Sequence, residues 1–262
     1  MWSRATGGSR DGLAGLTIVH TSDLHGDRYG ALDRAGRLLR RIPGAVWFDS
    51  GDALRAWNLA LGLTWERTLA RMTELGCSAM AMGNREFEPL VPCHRMKLAA
   101  AGFPVICTNL VHPRPRSVPV VPEVRFRAPD GRRIRVFGAL RDMLRSSVSR
   151  RLSAYRFRDP LEPLSRRCAT VEPDELVVLL SHLGGASDRD LLAMLPRLDL
   201  ILGGHDHQGR CERSGRRAIV APQAHGRQLA LITVRPDEPP IVRFVSSPWE
   251  EVDAIAEATA GP

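Results

Sequence analysis

Lysine is almost missing from this chain. Of 37 basic residues only Lys97 is a lysine, which leaves 36 arginines spread over the whole of 262 residues. Aromatic residues are also scarce, at 5%. The formal charge of +8 and the basic runs RFRAPDGRRIR (125–135) and RRLSAYRFR (150–158) invite a polyanion reading, because clustered guanidinium groups neutralise phosphates. With few rings for bases to stack on, solvated faces are the simpler reading, and nucleic acid is the less favoured partner. Cysteine is sparse too: five residues, an odd number, with no CxxC pair. That pattern argues against a disulfide framework and reads as free thiols in a reducing cytosol, so a cytoplasmic protein is expected. No run of about 18 apolar residues occurs, and the first 15 residues hold no apolar signal core. Neither membrane insertion nor export is expected.

What is present is ordinary globular material, 44% hydrophobic and 25% charged, long enough to bury a full core. LTIVH (16–20) is a short apolar, β-branched run that stops at the polar TSDLHGD, as a buried strand feeding a loop does. ALDRAGRLLRRI (31–42) has helical spacing. The unit repeats as AVWFDSGD, TWERTLARMTEL (64–75), CSAMAMGN, PLVPCHRMKLAAAG and FPVICTN. After a Pro- and Arg-rich surface excursion (111–123), RRIRVFGAL, LEPLSRRCATV, ELVVLLSH, DRDLLAMLPRL (188–198) and DLILGGHDH continue it. The last 50 residues read as short strands and turns. Such alternation predicts an α/β fold with mostly central strands. The expected organisation is an extension over 1–15, one domain over 16–250 and a tail over 251–262.

The side chains able to bind metal or move protons collect at the ends of these strands. Asp23 and His25 follow the first, Asp52 the second, Asn84 the third, His182 the ELVVLLS strand, and His205 with His207 the DLILGG strand. Ligands of open α/β sheets sit at the carboxyl edge, so five loops are expected to face one cleft. Each piece alone is weak: GD and GN are turn signals, and a lone histidine at a strand end is usually a satisfied imidazole. Taken together and in order they point to a metal site. Of the other histidines, His20 reads as core, and His94, His112 and His225 as helix or loop residues, with a place behind the ligands as the alternative for His225.

Set out as DLH (23–25), GD (51–52), GNRE (83–86), SH (181–182) and GHDH (204–207), these motifs resemble the calcineurin-like metallophosphoesterases, specifically the catalytic domain of 5′-nucleotidases. VHTSDLHG, TELGCSAMAMGNREFE, GFPVICTNL and LSHLGGASDRDLL carry the same likeness, over about residues 16–235. The resemblance implies a layered α/β/β/α sandwich. It also implies two divalent ions, one held by Asp23, His25 and His207 and the other by Asn84, His182 and His205, with Asp52 bridging. Mixed nitrogen and oxygen donors suit Mn²⁺, Fe²⁺ or Zn²⁺. The implied activity is hydrolysis of a small phosphate ester, mono- or diester, by in-line attack of a metal-bridging hydroxide.

Two departures qualify it. Arg85 stands where the family motif has a histidine, and a guanidinium stabilises charge without being able to act as a general acid. The Asp that pairs with that histidine in the family is matched by Glu88, so an Arg85–Glu88 link is expected. The nucleobase-stacking C-terminal domain of full-length 5′-nucleotidases is not among these 262 residues, so nucleotide selectivity is not carried over. A metal-binding scaffold with little turnover and a nuclease of the same superfamily are the competing readings.

Overall fold

Two six-stranded sheets face each other in the computed structural model of the chain, which describes residues 15–55, 67–128 and 131–246. The expected extension, save Gly15, the expected tail and the start of the helix expected over 64–75 lie outside the described residues.

The first sheet is built on the parallel strands β1 (Leu16–Thr21), β2 (Val46–Asp49), β3 (Ala79–Ala81) and β4 (Val105–Ile106). Two antiparallel strands, β13 (Leu229–Val234) and β14 (Ile241–Val245), extend it beyond β1. In the second sheet β7 (Arg133–Leu140), β9 (Leu176–His182), β10 (Leu200–Gly203) and β12 (Arg217–Ala221) run parallel. Its antiparallel edges are β6 (Glu123–Arg127) and β11 (Arg210–Ser214). A two-stranded ribbon, β5 (Leu110–Val111) with β8 (Arg156–Phe157), stands apart.

Alternation along each strand produces the layers. Leu16 and Ile18 of β1 enter the core between the sheets, against Val136, Val178, Leu180 and Leu202 of the second. Val19, one residue out of phase, packs on the opposite face with Leu32 and Leu38 of α1 (Ala31–Arg41), Leu69 of α2 (Arg67–Glu74) and Leu98 of α3 (Val91–Leu98). On the far side Val177, Leu179 and Ile201 pack against Leu164 of α5 (Leu161–Cys168) and Leu191 of α6 (Gly185–Met194). Each such side chain, fully buried, contributes about 1.5–3 kcal/mol. The result is the α/β/β/α sandwich the resemblance implied.

One polar bolt crosses the middle layer. His20 Nε2 meets Ser50 Oγ at 2.9 Å, and that hydroxyl donates to the Leu202 carbonyl of the other sheet at 2.6 Å. His20 is wholly buried, and burial lowers its pKa to about 3, so it is neutral.

Three differences from the sequence reading have physical causes. The basic run at 125–135 is a β-hairpin edge: Val124 and Phe126 pack inward while Arg125 and Arg127 point outward, so the period-2 signal hides under the arginines. The short helix α4 (Ser147–Leu152) leads into the other run, overlapping its first three residues, and is set by a capping box between Ser146 and Ser149, with no residue of the helix itself buried. Helix α6 begins at Gly185, three residues before the expected start at 188.

Candidate metal centre

The loops that leave β1, β2, β3, β9 and β10 come together at one edge of the sandwich, held mostly by backbone contacts. Asp23 N donates to Gly51 O at 2.9 Å, His25 N to Asp52 O at 3.0 Å and Gly26 N to Ala53 O at 3.0 Å, so the first loop runs alongside the second. Gly83 brings in the third. A Cβ there would strike Asp52 N, Asp52 Oδ1 and the Glu86 carboxylate, so only glycine permits this approach. Of the eight described non-glycine residues with positive φ, seven stand around this edge: Asp23, His25, Asp27, Asp52, His205, His207 and His225. Such conformations cost on the order of 1–3 kcal/mol when strained and gather where function demands a particular aim.

The seven expected donors are all brought here. His25 Nε2 lies 3.9 Å from Asp23 Oδ1 and 3.5 Å from Asp52 Oδ2; His182 Nε2 lies 4.0 Å from Asp23 Oδ1 and 3.5 Å from Asp52 Oδ1. His207 Nε2 is 3.4 Å from Asp23 Oδ1. Asn84 Nδ2 meets His205 Nδ1 at 3.2 Å, and the His205 ring stands 5.0 Å from that of His182. Asp23, His25 and His207 form one compact donor group, and Asp23, Asp52 and His182 a second. Asp23 Oδ1, His25 Nε2, Asn84 Oδ1 and His182 Nε2 are buried with no hydrogen-bond partner in the protein. Three of these orphaned atoms, Asp23 Oδ1, His25 Nε2 and His182 Nε2, lie 3.5–4.0 Å from a neighbouring carboxylate or imidazole donor, a spacing that fits divalent ions, since donors around an ion with bonds of about 2.1 Å lie roughly 3–3.5 Å apart.

The outer atoms of these donors are spoken for, which fixes their aim. Asp23 Oδ2 accepts from Ser22 Oγ and from His205 N at 2.9 Å. His182 Nδ1 contacts the Ser50 carbonyl at 2.7 Å, turning Nε2 toward the cluster. The charges are strongly coupled in the protein alone. Burial pulls the His182 imidazole down, but Asp52, Asp23 and the Ser50 carbonyl carry it up to about 10. Burial pushes Asp52 up, yet His182, His25 and the Arg85 N–H hold it well below the usual carboxylate range. His205 is lowered to about 4 by burial, His182 and Arg141.

Arg85 sits at the rim. Its backbone N–H donates to Asp52 Oδ1 at 2.8 Å, its Nε lies 3.9 Å from Asp52 Oδ2, and its guanidinium also donates to the Leu54 and Arg55 carbonyls. Glu88 is used differently from the expected Arg85–Glu88 link. Its Oε1 accepts from Lys97 Nζ at 2.9 Å in a buried pair. The one lysine of the chain thus neutralises the one acid that the motif alignment had set beside Arg85.

Two contributions, Glu86 and Arg210, escaped the sequence reading, and a third, His225, entered it only as an alternative. Glu86, fully buried, binds the backbones of two loops; it follows GNR directly, but nothing in the motif tells a ligand from a brace. His225 lies among the ligands, its ring 4.7 Å from His25 and 5.3 Å from His207, because its N–H donates to Asp23 O at 2.7 Å and Arg34 binds the Gly226 carbonyl. Arg210 reaches back from β11 to Asp188 and Asp206, bracing the loop that carries His205 and His207.

Comparison with known proteins agrees with this architecture. Trifunctional nucleotide phosphoesterase protein YfkN of Bacillus subtilis (strain 168) is 27% identical over 247 residues, covering 76% of this chain and 16% of that protein. The 5′-nucleotidase of Vibrio cholerae serotype O1 is 26% identical over 227 residues, 75% of this chain and 41% of the relative. The chain therefore spans less than half the length of these curated relatives. Among solved structures, a 5′-nucleotidase precursor from Thermus thermophilus superposes with a TM-score of 0.72 at 22% identity, over 93% of this chain and 57% of that one. The calcineurin-like phosphoesterase YfkN from Bacillus subtilis superposes with a TM-score of 0.70 at 17% identity, over 94% and 96%. The profile of the family described as calcineurin-like phosphoesterase matches residues 16–209, well over half of the sequence, and the chain belongs to that family.

Proposed function

We propose that the protein is a dinuclear-metal phosphoesterase that hydrolyses a small phosphate ester. The observation that carries this reading is the placement of Asp52: Oδ2 faces His25 and Oδ1 faces His182, each at 3.5 Å, so one carboxylate lies between two histidines that belong to opposite halves of the cluster. In this reading Asp23, His25 and His207 would hold one ion and Asn84, His182 and His205 the other, with Asp52 shared between them. Mn²⁺, Fe²⁺ and Zn²⁺ all suit these donors. Such ions supply charge neutralisation and activation of water for in-line attack on phosphorus.

The chain's own residues supply the rest. Ser22 and Ser50 orient Asp23 and His182 through the contacts described above. Arg85 offers a permanent cation beside Asp52, where charge gathers on the pentacoordinate phosphorus. It donates charge stabilisation and no proton, so esters with good leaving groups are the favoured substrates. The curated relatives named for nucleotides support a nucleotide or similar monoester as the substrate class, and five free cysteines support a reducing compartment.

The test is hydrolysis of p-nitrophenyl phosphate by Mn²⁺-loaded protein with Asp52→Asn as control. Turnover that disappears in the control supports the reading. Absence of turnover in protein shown to hold two ions per chain would refute it in favour of a metal-binding scaffold.

A further inference from the structure

The loop that follows β7 carries two arginines that the metal centre does not account for. Leu140, the last residue of β7, pairs in register with His182, and adjacent strands lie about 4.8 Å apart. Arg141 is therefore the first residue to leave the sheet beside a metal-facing histidine. Its departure is fixed: Asn109 Nδ2 donates to Leu140 O at 2.8 Å, and Asn109 Oδ1 accepts from Leu140 N at 3.1 Å. Asp142 then shapes the loop, accepting from Leu144 N at 2.8 Å and from Arg150 at 2.8 Å. The nearest acid in sequence is thus already neutralised.

Neither Arg141 nor Arg145 has a hydrogen bond or ion pair among the described residues. Exposed arginines elsewhere in the chain do find acids, as Arg71 finds Asp33 and Glu74, Arg133 finds Asp174, and Arg189 finds Glu212. Arg141 is half-buried and Arg145 exposed. Burial and then the neighbouring Arg145 charge lower the pKa of Arg141, and its own charge reaches His205. Two adjacent cations without an acid, one of them partly desolvated, are unfavourable until an anion arrives.

The direction of the loop says which anion. His205 contacts Asn84, and Arg85 is the next residue, so the reacting phosphoryl group is already served from that side by the ligands and by Arg85. Arg141 follows β7 of the second sheet, whereas Arg85 follows β3 of the first, and the Arg141 loop leads on to the exposed Arg145, so it meets a bound ester from the opposite sheet. We propose that Arg141, backed by Arg145, is a specificity-determining residue that receives an anionic group carried on the leaving-group side of the substrate. A carboxylate or a second phosphoryl group both match a planar guanidinium fork. The inference rests on the phosphoesterase reading above.

Two experiments separate its failure from that of the reading. The first compares kcat/KM of the Mn²⁺-loaded protein for phenyl phosphate with its 4-carboxymethyl and 4-phosphonomethyl derivatives, whose methylene group keeps leaving-group acidity nearly matched. The charged esters are expected to be preferred. Arg141→Gln is expected to cut that preference about tenfold, the size of a lost charge-assisted hydrogen bond, and Arg141→Lys to restore part of it. The ratio of the two charged esters tells carboxylate from phosphoryl. An equal loss for all three esters would place Arg141 on the reacting phosphoryl group and overturn the proposal.

The second needs no turnover: calorimetric binding of benzylphosphonate and of 1,4-bis(phosphonomethyl)benzene to the same loaded proteins. Tighter binding of the bisphosphonate, weakened about tenfold by Arg141→Gln, supports the anion site even if no ester is hydrolysed. Equal binding of the two ligands, or a preference indifferent to Arg141, overturns it.

Discussion

Glu86 Oε2 accepts the backbone N–H of Asp52 at 2.8 Å and that of Gly83 at 2.9 Å, while its Oε1 accepts from Leu54 N at 3.1 Å. One buried carboxylate therefore sets the distance between the loop that presents Asp52 and the loop that presents Asn84. Burial and then the Asp52 charge raise it to about 7. Replacing it with Ala strands three buried N–H groups, each costing about 1–3 kcal/mol. Glu86→Ala is expected to lower unfolding free energy by about 3 kcal/mol or more and to weaken metal binding, with Glu86→Gln intermediate. Urea melts with and without Mn²⁺ measure both, and an unchanged midpoint would show that the loops are held some other way.

The strand-loop-helix succession and the convergence of the seven candidate donors were legible because both rest on short-range signals. A β-branched run ending in DLH, GD or GHDH announces a buried strand and the residues at its carboxyl edge. Glu86 and Arg210 were not legible, and His225 only as an alternative, since each acts through the partner it meets across the fold: Glu86 on the backbone of residues 52–54, His225 through Asp23 O, Arg210 on Asp188. Glu88 shows the same limit from the other side. Motif spacing placed it beside Arg85, but the packing of α3 delivers Lys97 to it instead. Strand β6 was missed because Arg125 and Arg127 alternate with the residues that pack.

Metal uptake is expected to release a proton from His182. Its pKa is raised from 6.5 to about 10 by the buried carboxylates, against the pull of burial itself, and a ligating imidazole nitrogen must be unprotonated. Apparent affinity for Mn²⁺ should therefore rise about tenfold per pH unit across neutral pH and flatten toward pH 10. In metal-free protein the sign reverses: the raised value means that the His182–Asp52 pair stabilises the fold fully below about pH 6.5 and loses that contribution as pH climbs through about 10. Calorimetric titration in two buffers of different protonation enthalpy counts the proton. A count of zero at pH 8 would contradict the assignment.

Arg85→His is expected to raise turnover most for esters with poor leaving groups. The guanidinium beside Asp52 supplies charge alone, whereas an imidazole at the same rim can also give a proton to the departing oxygen. General acid assistance contributes typically about 10²–10⁴-fold, and the gain should lie at the low end, because Glu88 is held by Lys97 and unavailable to orient the new ring. A plot of log kcat/KM against leaving-group pKa for aryl phosphates should become shallower in the variant. A parallel downward displacement of the whole line would mean that Arg85 is needed for more than charge.

The Asp188–Arg210 pair is expected to hold the histidine-bearing loop in a pH-dependent way. Asp188 is fully buried; it accepts from Ser181 Oγ and from Arg210 at 3.0 Å, and Arg210 also binds Asp206, whose Oδ2 accepts from Gly185 N at 2.9 Å. Burial outweighs these partners and raises Asp188 from 3.8 to about 6. The folded chain then binds more protons than the unfolded one between those values, so this group's contribution falls as pH rises from about 4 to about 6 and is flat above. Arg210→Met removes the cation and extends that fall to higher pH. Losing one partner of a buried pair costs about 3–5 kcal/mol. Here the figure should be nearer the lower end, because Asp206 is partly exposed. Denaturant midpoints at pH 5 and pH 8 are therefore expected to show a larger deficit for the variant at pH 8, together with weaker Mn²⁺ binding as His205 and His207 lose their brace. The same deficit at both pH values would mean that Asp188 stays protonated throughout and that Arg210 works only through Asp206.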